Sequence, residues 1–214
     1  MAVNKIRLKG HETFILRDGW LTKGLMAVAA DPKVFSKNHG ADALGVGTNM
    51  AKAIRYWLRE SELTEEDTKE GVKLTDTGEL WLVHCNLAMN AQKVTSWYTF
   101  FNLLESETFT KEELEDELED KILQFFHVEN VPKRSISDDC NAILNMYYRE
   151  NEKDYDPEEK KVSPFAHLGL LRKHIDRYSR SQPYFNTLSA DVILYILAKA
   201  QAKEHMDSLS IDTL

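Results

Sequence analysis

Cysteine is scarce in this 214-residue chain: only Cys85 and Cys140 occur, far apart, and neither belongs to a Cys-x-x-Cys pair. A disulfide framework or zinc knuckle is therefore not expected, and both residues read as buried thiols. Long apolar runs are missing as well. None approaches the roughly 18 residues that a membrane span requires, and the basic N-terminus lacks the apolar stretch of a signal peptide. A cytoplasmic protein with no membrane partner is expected.

Positive charge is in deficit, since 27 Lys/Arg against 35 Asp/Glu leave a net charge of −8. That argues against indiscriminate nucleic-acid affinity, which draws mostly on phosphate neutralisation. Motifs for chemistry are equally thin. Gly10-His11-Glu12-Thr13-Phe14 starts like the zinc-protease pattern, but isoleucine follows and the second histidine ligand is absent. His84 and Cys85 are neighbours on an expected helix and do not converge on one site, while Gly45-Val46-Gly47 lacks the Gly-Lys-Ser/Thr of a phosphate loop. No catalytic residue, metal site or cofactor is expected, so the chain does not read as an enzyme. An active site assembled from distant residues is the weaker alternative.

What is present is a core and an uneven charge distribution. Hydrophobic residues make up 43% of the chain and aromatics 10%, enough for one large domain or two to three small ones. Residues 1–59 hold ten Lys/Arg against four acids, and residues 60–130 hold eighteen acids against five lysines. Such asymmetry orients a molecule towards a charged partner.

The basic part contains the most informative stretch. At about 100° per residue, Met50, Ile54, Trp57 and Leu58 share one face of a helix over residues 48–59. Asn49, Lys52, Arg55, Tyr56 and Arg59 lie opposite. Before it, residues 6–15 read as an extended arm carrying Lys5, Arg7 and Lys9, and Trp20, Leu21, Leu25, Met26 and Val28 give a helix that Asp31-Pro32 stops. Residues 42–47 supply a short helix and a glycine turn, with Thr48 as the expected N-cap. After it, Glu62-Leu63 and Val72-Lys73-Leu74 fit a hairpin whose loop runs from Thr64 to Gly71, and Thr75 caps a further helix. This order predicts a winged helix-turn-helix.

The pattern recurs from residue 96. Trp97, Phe100, Phe101 and Leu104 mark one helix, Thr110 with Glu113 opens another as a capping box, and Cys140, Ile143, Leu144 and Tyr147 share a face of a third. Asp138 and Asp139 are expected in the first turn of that third helix, where they suit its dipole and disfavour DNA. Residues 151–161 read as an exposed linker or wing, residues 178–186 as a loop or hairpin, and an apolar helix is expected from residue 189. The fold expected is mainly α: tandem winged helix-turn-helix units with short hairpin wings, over residues 1–95 and 96–161, plus a C-terminal helical segment over 162–214. Residues 208–214 resemble the start of another helix, so a C-terminal element is expected to be missing.

Several strings resemble the bacterial family called domain of unknown function 4007: Gly10-His11-Glu12-Thr13-Phe14, Arg17-Asp18-Gly19-Trp20-Leu21-Thr22-Lys23-Gly24, Leu44-Gly45-Val46-Gly47-Thr48-Asn49-Met50, Ile54-Arg55-Tyr56-Trp57 and Leu74-Thr75-Asp76-Thr77-Gly78. Trp97-Tyr98-Thr99-Phe100-Phe101-Asn102, Phe109-Thr110-Lys111-Glu112-Glu113-Leu114 and residues 163–170 extend the likeness over nearly the whole chain. The resemblance implies a setting, DNA phosphorothioate modification and related phage defence beside phosphoadenosine-phosphosulfate-reductase-like proteins, and carries over no catalytic residue. Two departures matter: family members usually continue beyond this chain's end, and a basic residue commonly stands where Asp138 precedes Asp139.

The function expected is a DNA-binding accessory or regulator of such a system. Arg17 and Lys23 are the expected phosphate contacts, Thr48 with the helix N-terminus meets phosphate, and Asn49, Lys52 and Tyr56 approach bases while Arg55 and Arg59 hold the backbone. Glu65, Glu66 and Asp67, expected at the wing tip, would be repelled by phosphates. Plain alternatives stand beside this: a solvated helix face, or an adaptor whose acidic residues 105–120 or 151–161 dock a modification or defence protein. A homodimer is compatible with either.

Overall fold

The computed structural model describes residues 8–67, 69–83, 108–148 and 163–181, together with six helical positions between 190 and 202. The expected helix at residues 97–104, the pair His84 and Cys85, the 151–161 segment and the chain end fall outside the described residues. The fold is rich in helix and carries two small antiparallel sheets. No helix among the described residues is long and apolar enough to cross a membrane.

Helix α1 spans Trp20–Ala30 and ends at Asp31, whose extended backbone precedes Pro32 as the proline requires. A short 3-10 turn, Asn38–Gly40, leads into α2, Ala41–Leu44, which closes on Gly45 in the left-handed region at φ 61°. Helix α3, Thr48–Glu60, follows at once. Its N-cap is Gly47 and no side chain caps it, which corrects Thr48 to the first helical residue. Ala51, Ala53, Ile54 and Leu58 form its buried face, and Met50 and Trp57 are only partly buried. The two alanines and Gly24 let α1 and α3 approach closely: a Cβ at Gly24 would come within 2.6 Å of Leu58 and 2.9 Å of Ile54. Burying Leu25, Ile54 and Leu58 there contributes about 1.5–3 kcal/mol each.

The first hairpin pairs β1, Thr64–Asp67, with β2, Gly71–Leu74, in the register Thr64 to Leu74 and Asp67 to Gly71. The strands are therefore longer than expected and the loop shorter. Glu65, Glu66 and Asp67 belong to β1 rather than to the wing tip. Asp67 accepts the Lys69 and Glu70 amides at 2.7 and 2.8 Å, and these bonds hold its carboxyl below the usual aspartate range. Helix α4, Asp76–Val83, starts where the Gly78 amide donates to Thr75 Oγ1 at 3.1 Å, the cap expected at Thr75.

Strand β3, Thr108–Phe109, leads into α5, Lys111–Phe126, through the expected capping box: the Glu113 amide donates to Thr110 Oγ1 and the Thr110 amide to Glu113 Oε2. Helix α6, Lys133–Tyr147, has Pro132 at its N-cap and no acid in its first turn. Asp138 and Asp139 thus fall in the second turn, which corrects the expected dipole role. After a 3-10 turn at Pro164–Leu168, strands β4, Leu171–His174, and β5, Arg177–Arg180, form a second hairpin. Its β5 also pairs with β3, giving the sheet order β3-β5-β4. The C-terminal helical segment was expected to hold a loop or hairpin at residues 178–186; the hairpin lies earlier, at 171–180, and its strands join residues 108–109 across the expected boundary at 161/162.

Candidate nucleic-acid interface

Helix α3 presents its N-terminal turn to solvent because its apolar residues point back at α1. Thr48 and Asn49 are exposed, and Lys52 is half-exposed. The Thr48 hydroxyl donates to Asn38 Oδ1 at 3.3 Å, and Lys52 Nζ donates to Asn49 Oδ1 at 3.4 Å while standing 3.7 Å from Glu12. These three residues come together as a polar end beside Lys37, which is exposed and has no carboxylate partner among the described residues. They are the part of the expected site that the fold brings together.

The rest of the basic face is engaged within the chain. Arg55 Nε donates to Glu66 Oε1 at 2.9 Å, its second nitrogen donates to the other oxygen of that carboxylate, and the guanidinium lies 5.6 Å from the Phe35 ring. The acidic strand expected to repel phosphate instead balances an arginine of the helix. Arg59 Nε donates to Glu60 at 3.0 Å, with its guanidinium 5.7 Å from the Tyr56 ring. Tyr56 is partly buried, because Gly10 packs on it so closely that any Cβ there would collide with the ring. Arg17 is half-buried, with its guanidinium 5.5 Å from the Phe14 ring and 5.2 Å from the Trp20 ring. Lys23 is exposed on α1.

Sequence reasoning missed a clasp made by the arm. Residues 8–13 are turns rather than extended chain, with Lys9, Glu12 and Thr13 at positive φ. The turns seat the arm between α3 and α6. On the α6 side, the Lys9 amide donates to both oxygens of Asp139, Lys9 Nζ pairs with Asp138 at 2.5 Å, and His11 Nε2 donates to Asp139 at 2.8 Å. On the α3 side, the buried His11 ring stacks on Trp57 with centroids 6.0 Å apart, and Trp57 Nε1 donates to the Phe14 carbonyl at 3.0 Å. The Lys9 ammonium bonded to Asp138 holds that carboxyl below its ordinary range, with Lys9's field, Arg134 and His11 adding to the effect. The Asp138-Asp139 pair signalled this clasp, but nothing local linked it to residues 9–11.

Burial pushes the Cys140 thiol up to about 12, and Glu115 and Asp139 nearby add to the shift. It is a packed thiol and not a nucleophile. Among the described residues no three His, Cys, Asp or Glu side chains stand together as a metal site.

Three comparisons bear on this arrangement. A family model described as a protein of unknown function, DUF4007, matches residues 8–214. No curated protein matches the chain. Two solved structures do: a crystal structure of SspB, 26% identical with a TM-score of 0.69, covers 93% of this chain and 67% of its own. A magnesium-ion-bound SspB crystal structure is 25% identical with a TM-score of 0.67, covering 92% of this chain and 66% of its own. This chain thus spans about two thirds of the length of both.

Proposed function

The chain belongs to the DUF4007 family of proteins of unknown function, and from that premise we propose that it is a DNA-binding accessory or regulator of a bacterial phosphorothioate-modification or phage-defence system, built on two winged helix-turn-helix units. The defence setting follows from the family resemblance and from the likeness to SspB. The winged-helix reading draws on order: α2, a left-handed glycine, α3 and an acidic hairpin come first. Helix α5, helix α6 and the three-stranded sheet that ends in the β4–β5 hairpin repeat the plan.

The observation that carries the DNA reading is the solvent-facing N-terminal end of α3. Thr48 and the helix dipole suit a phosphate, Asn49 and Lys52 are placed for base edges, and Lys37 adds a cation beside them. Arg55 and Arg59 reach the backbone only by leaving Glu66 and Glu60. Tyr56 stays under the arm. No step of this reading runs through a metal, although one SspB structure holds magnesium.

A gel shift with duplex DNA at low and moderate salt tests it. The Asn49→Ala, Lys52→Ala double variant is expected to lose affinity and to flatten the salt slope by about 0.9 for each phosphate contact removed. Unchanged affinity and slope count against it. A second reading, an adaptor that assembles defence proteins, gains from the carboxylate partners already held by Lys52, Arg55 and Arg59. Co-purification that survives neutralising α3 but fails on neutralising the acidic residues of α5 would favour the adaptor.

A further inference from the structure

The second hairpin is a stronger candidate for a nucleic-acid contact than its sequence advertised. Opposed residues on antiparallel strands share a face. The register Leu171 to Arg180, Lys173 to Tyr178 and Phe109 to Tyr178 therefore puts these residues on one side. That side faces the core, since Leu171 and Phe109 are buried and Phe109 stacks on Tyr178 with centroids 5.7 Å apart. The outward side carries Arg172, His174, Arg177, Ser179 and Thr108. No acid lies on that side of the three strands. Arg177 is anchored at its base, donating to Glu113 Oε2 at 3.0 Å and to the Thr108 carbonyl at 3.2 Å. Arg172 and His174 are exposed, and neither has an acidic partner among the described residues.

The turn of this hairpin is unusual. Ile175 and Asp176 join the strands, and Ile175 has φ 60° and is 83% exposed. A β-branched residue at positive φ is strained, and two-residue hairpin turns favour glycine or asparagine at such positions. Exposing isoleucine adds a hydration cost. Neither cost is offset within the described chain, and an observed backbone outlier of this kind is a reason to look for a function.

We propose that the β4–β5 hairpin is a wing for duplex DNA, in which Arg172 and His174 contact phosphates and Ile175 enters the minor groove between them. Arg172 and His174 stand two residues apart on one face, about 6.5–7 Å along the strand. The tip brings one aliphatic side chain to a groove about 6 Å wide, and apolar wedges flanked by basic residues are a general means of holding that groove. Thr108 and Ser179 add hydroxyls for the backbone. Pairing with β3 keeps the hairpin rigid. The site shares only its ligand class with the reading of α3.

The test is fluorescence anisotropy of the full chain with a 20-base-pair duplex across a salt series. Three variants are compared: Arg172→Ala with His174→Ala, Ile175→Gly, and Asn49→Ala with Lys52→Ala. The hairpin double variant is expected to weaken binding about tenfold or more and to reduce the salt slope by about 1–2. Ile175→Gly is expected to keep or raise the melting temperature while weakening duplex binding several-fold at unchanged slope. If the hairpin double variant binds like the parent while the α3 variant fails, the hairpin proposal is overturned and the α3 reading stands. The reverse result supports the hairpin and removes α3. Failure of the parent chain to bind duplex at low salt overturns both, and single-stranded DNA bound as tightly as duplex, with Ile175→Gly without effect, overturns the groove contact.

Discussion

Each hairpin pairs two four-residue antiparallel strands, and the two carry opposite charge. In β1–β2, Glu65, Glu66, Asp67 and Glu70 outnumber Lys69 and Lys73, and Glu66 reaches back to neutralise Arg55 of α3. In β4–β5, Arg172, Lys173, Arg177 and Arg180 stand against Asp176, and a third strand buttresses the pair. A hairpin's fold therefore says little about its use. Charge and the direction of the outward face decide whether it completes its own domain or meets a partner.

The largest effects come from emptying the core beneath each hairpin in turn. Leu58→Ala, at a fully buried position, is expected to cost about 2–5 kcal/mol, and Phe109→Ala beneath the second sheet about 3–5 kcal/mol. Amide exchange should rise first in β1–β2 for the former and in β3-β5-β4 for the latter; equal loss in both sheets would merge the two regions into one cooperative unit.

Charge sharpens the contrast next. Glu66→Gln releases Arg55 and is expected to raise duplex affinity several-fold and to steepen the salt slope by about 0.9, measured by anisotropy. An unchanged slope would mean that the acidic hairpin does not restrain α3.

Acid should then loosen both hairpins. Asp67 has its pKa lowered first by the Glu70 and Lys69 amides, and Glu113 first by the Thr110 amide and then by Arg177. A carboxylate whose folded pKa lies below its unfolded value adds stability at pH above the unfolded value. That stability fades as pH falls through the folded one. Protection factors of the Lys69, Glu70 and Thr110 amides should fall below about pH 4, the ordinary carboxylate range, and constant protection there would count against both anchors.

The smallest effect concerns Cys140. In a Cys85→Ser background at pH 8 its thiol is expected to react with a disulfide reagent only after denaturation, because burial and nearby acids keep it protonated. Rapid labelling of the folded chain would show that the α5–α6 layer opens.

The elements that residues announce locally were legible. Apolar spacing marked α1 and α3, Asp31-Pro32 marked the end of α1, and Thr110 with Glu113 marked the start of α5. The β4–β5 hairpin was read too late in the chain, at residues 178–186, because Arg-Lys-His-Ile-Asp-Arg-Tyr-Ser-Arg shows no clean apolar alternation and takes its strand character from pairing with β3. The partners of the expected DNA face were hidden for a related reason. Exposed helix positions tell which side chains point outward, but the partners of Arg55, Tyr56 and Arg17 come from the hairpin, the arm and two aromatic rings.

The clasp of Lys9 and His11 on Asp139 joins residues 130 and 128 positions apart. Closing so long a loop costs chain entropy before any contact repays it, and contacts of this separation slow folding. The arm is therefore expected to dock late, on α3 and α6 as surfaces that receive it. Trp57, which His11 covers and whose indole bonds to Phe14, would report that docking in a chain whose other three tryptophans are replaced by phenylalanine.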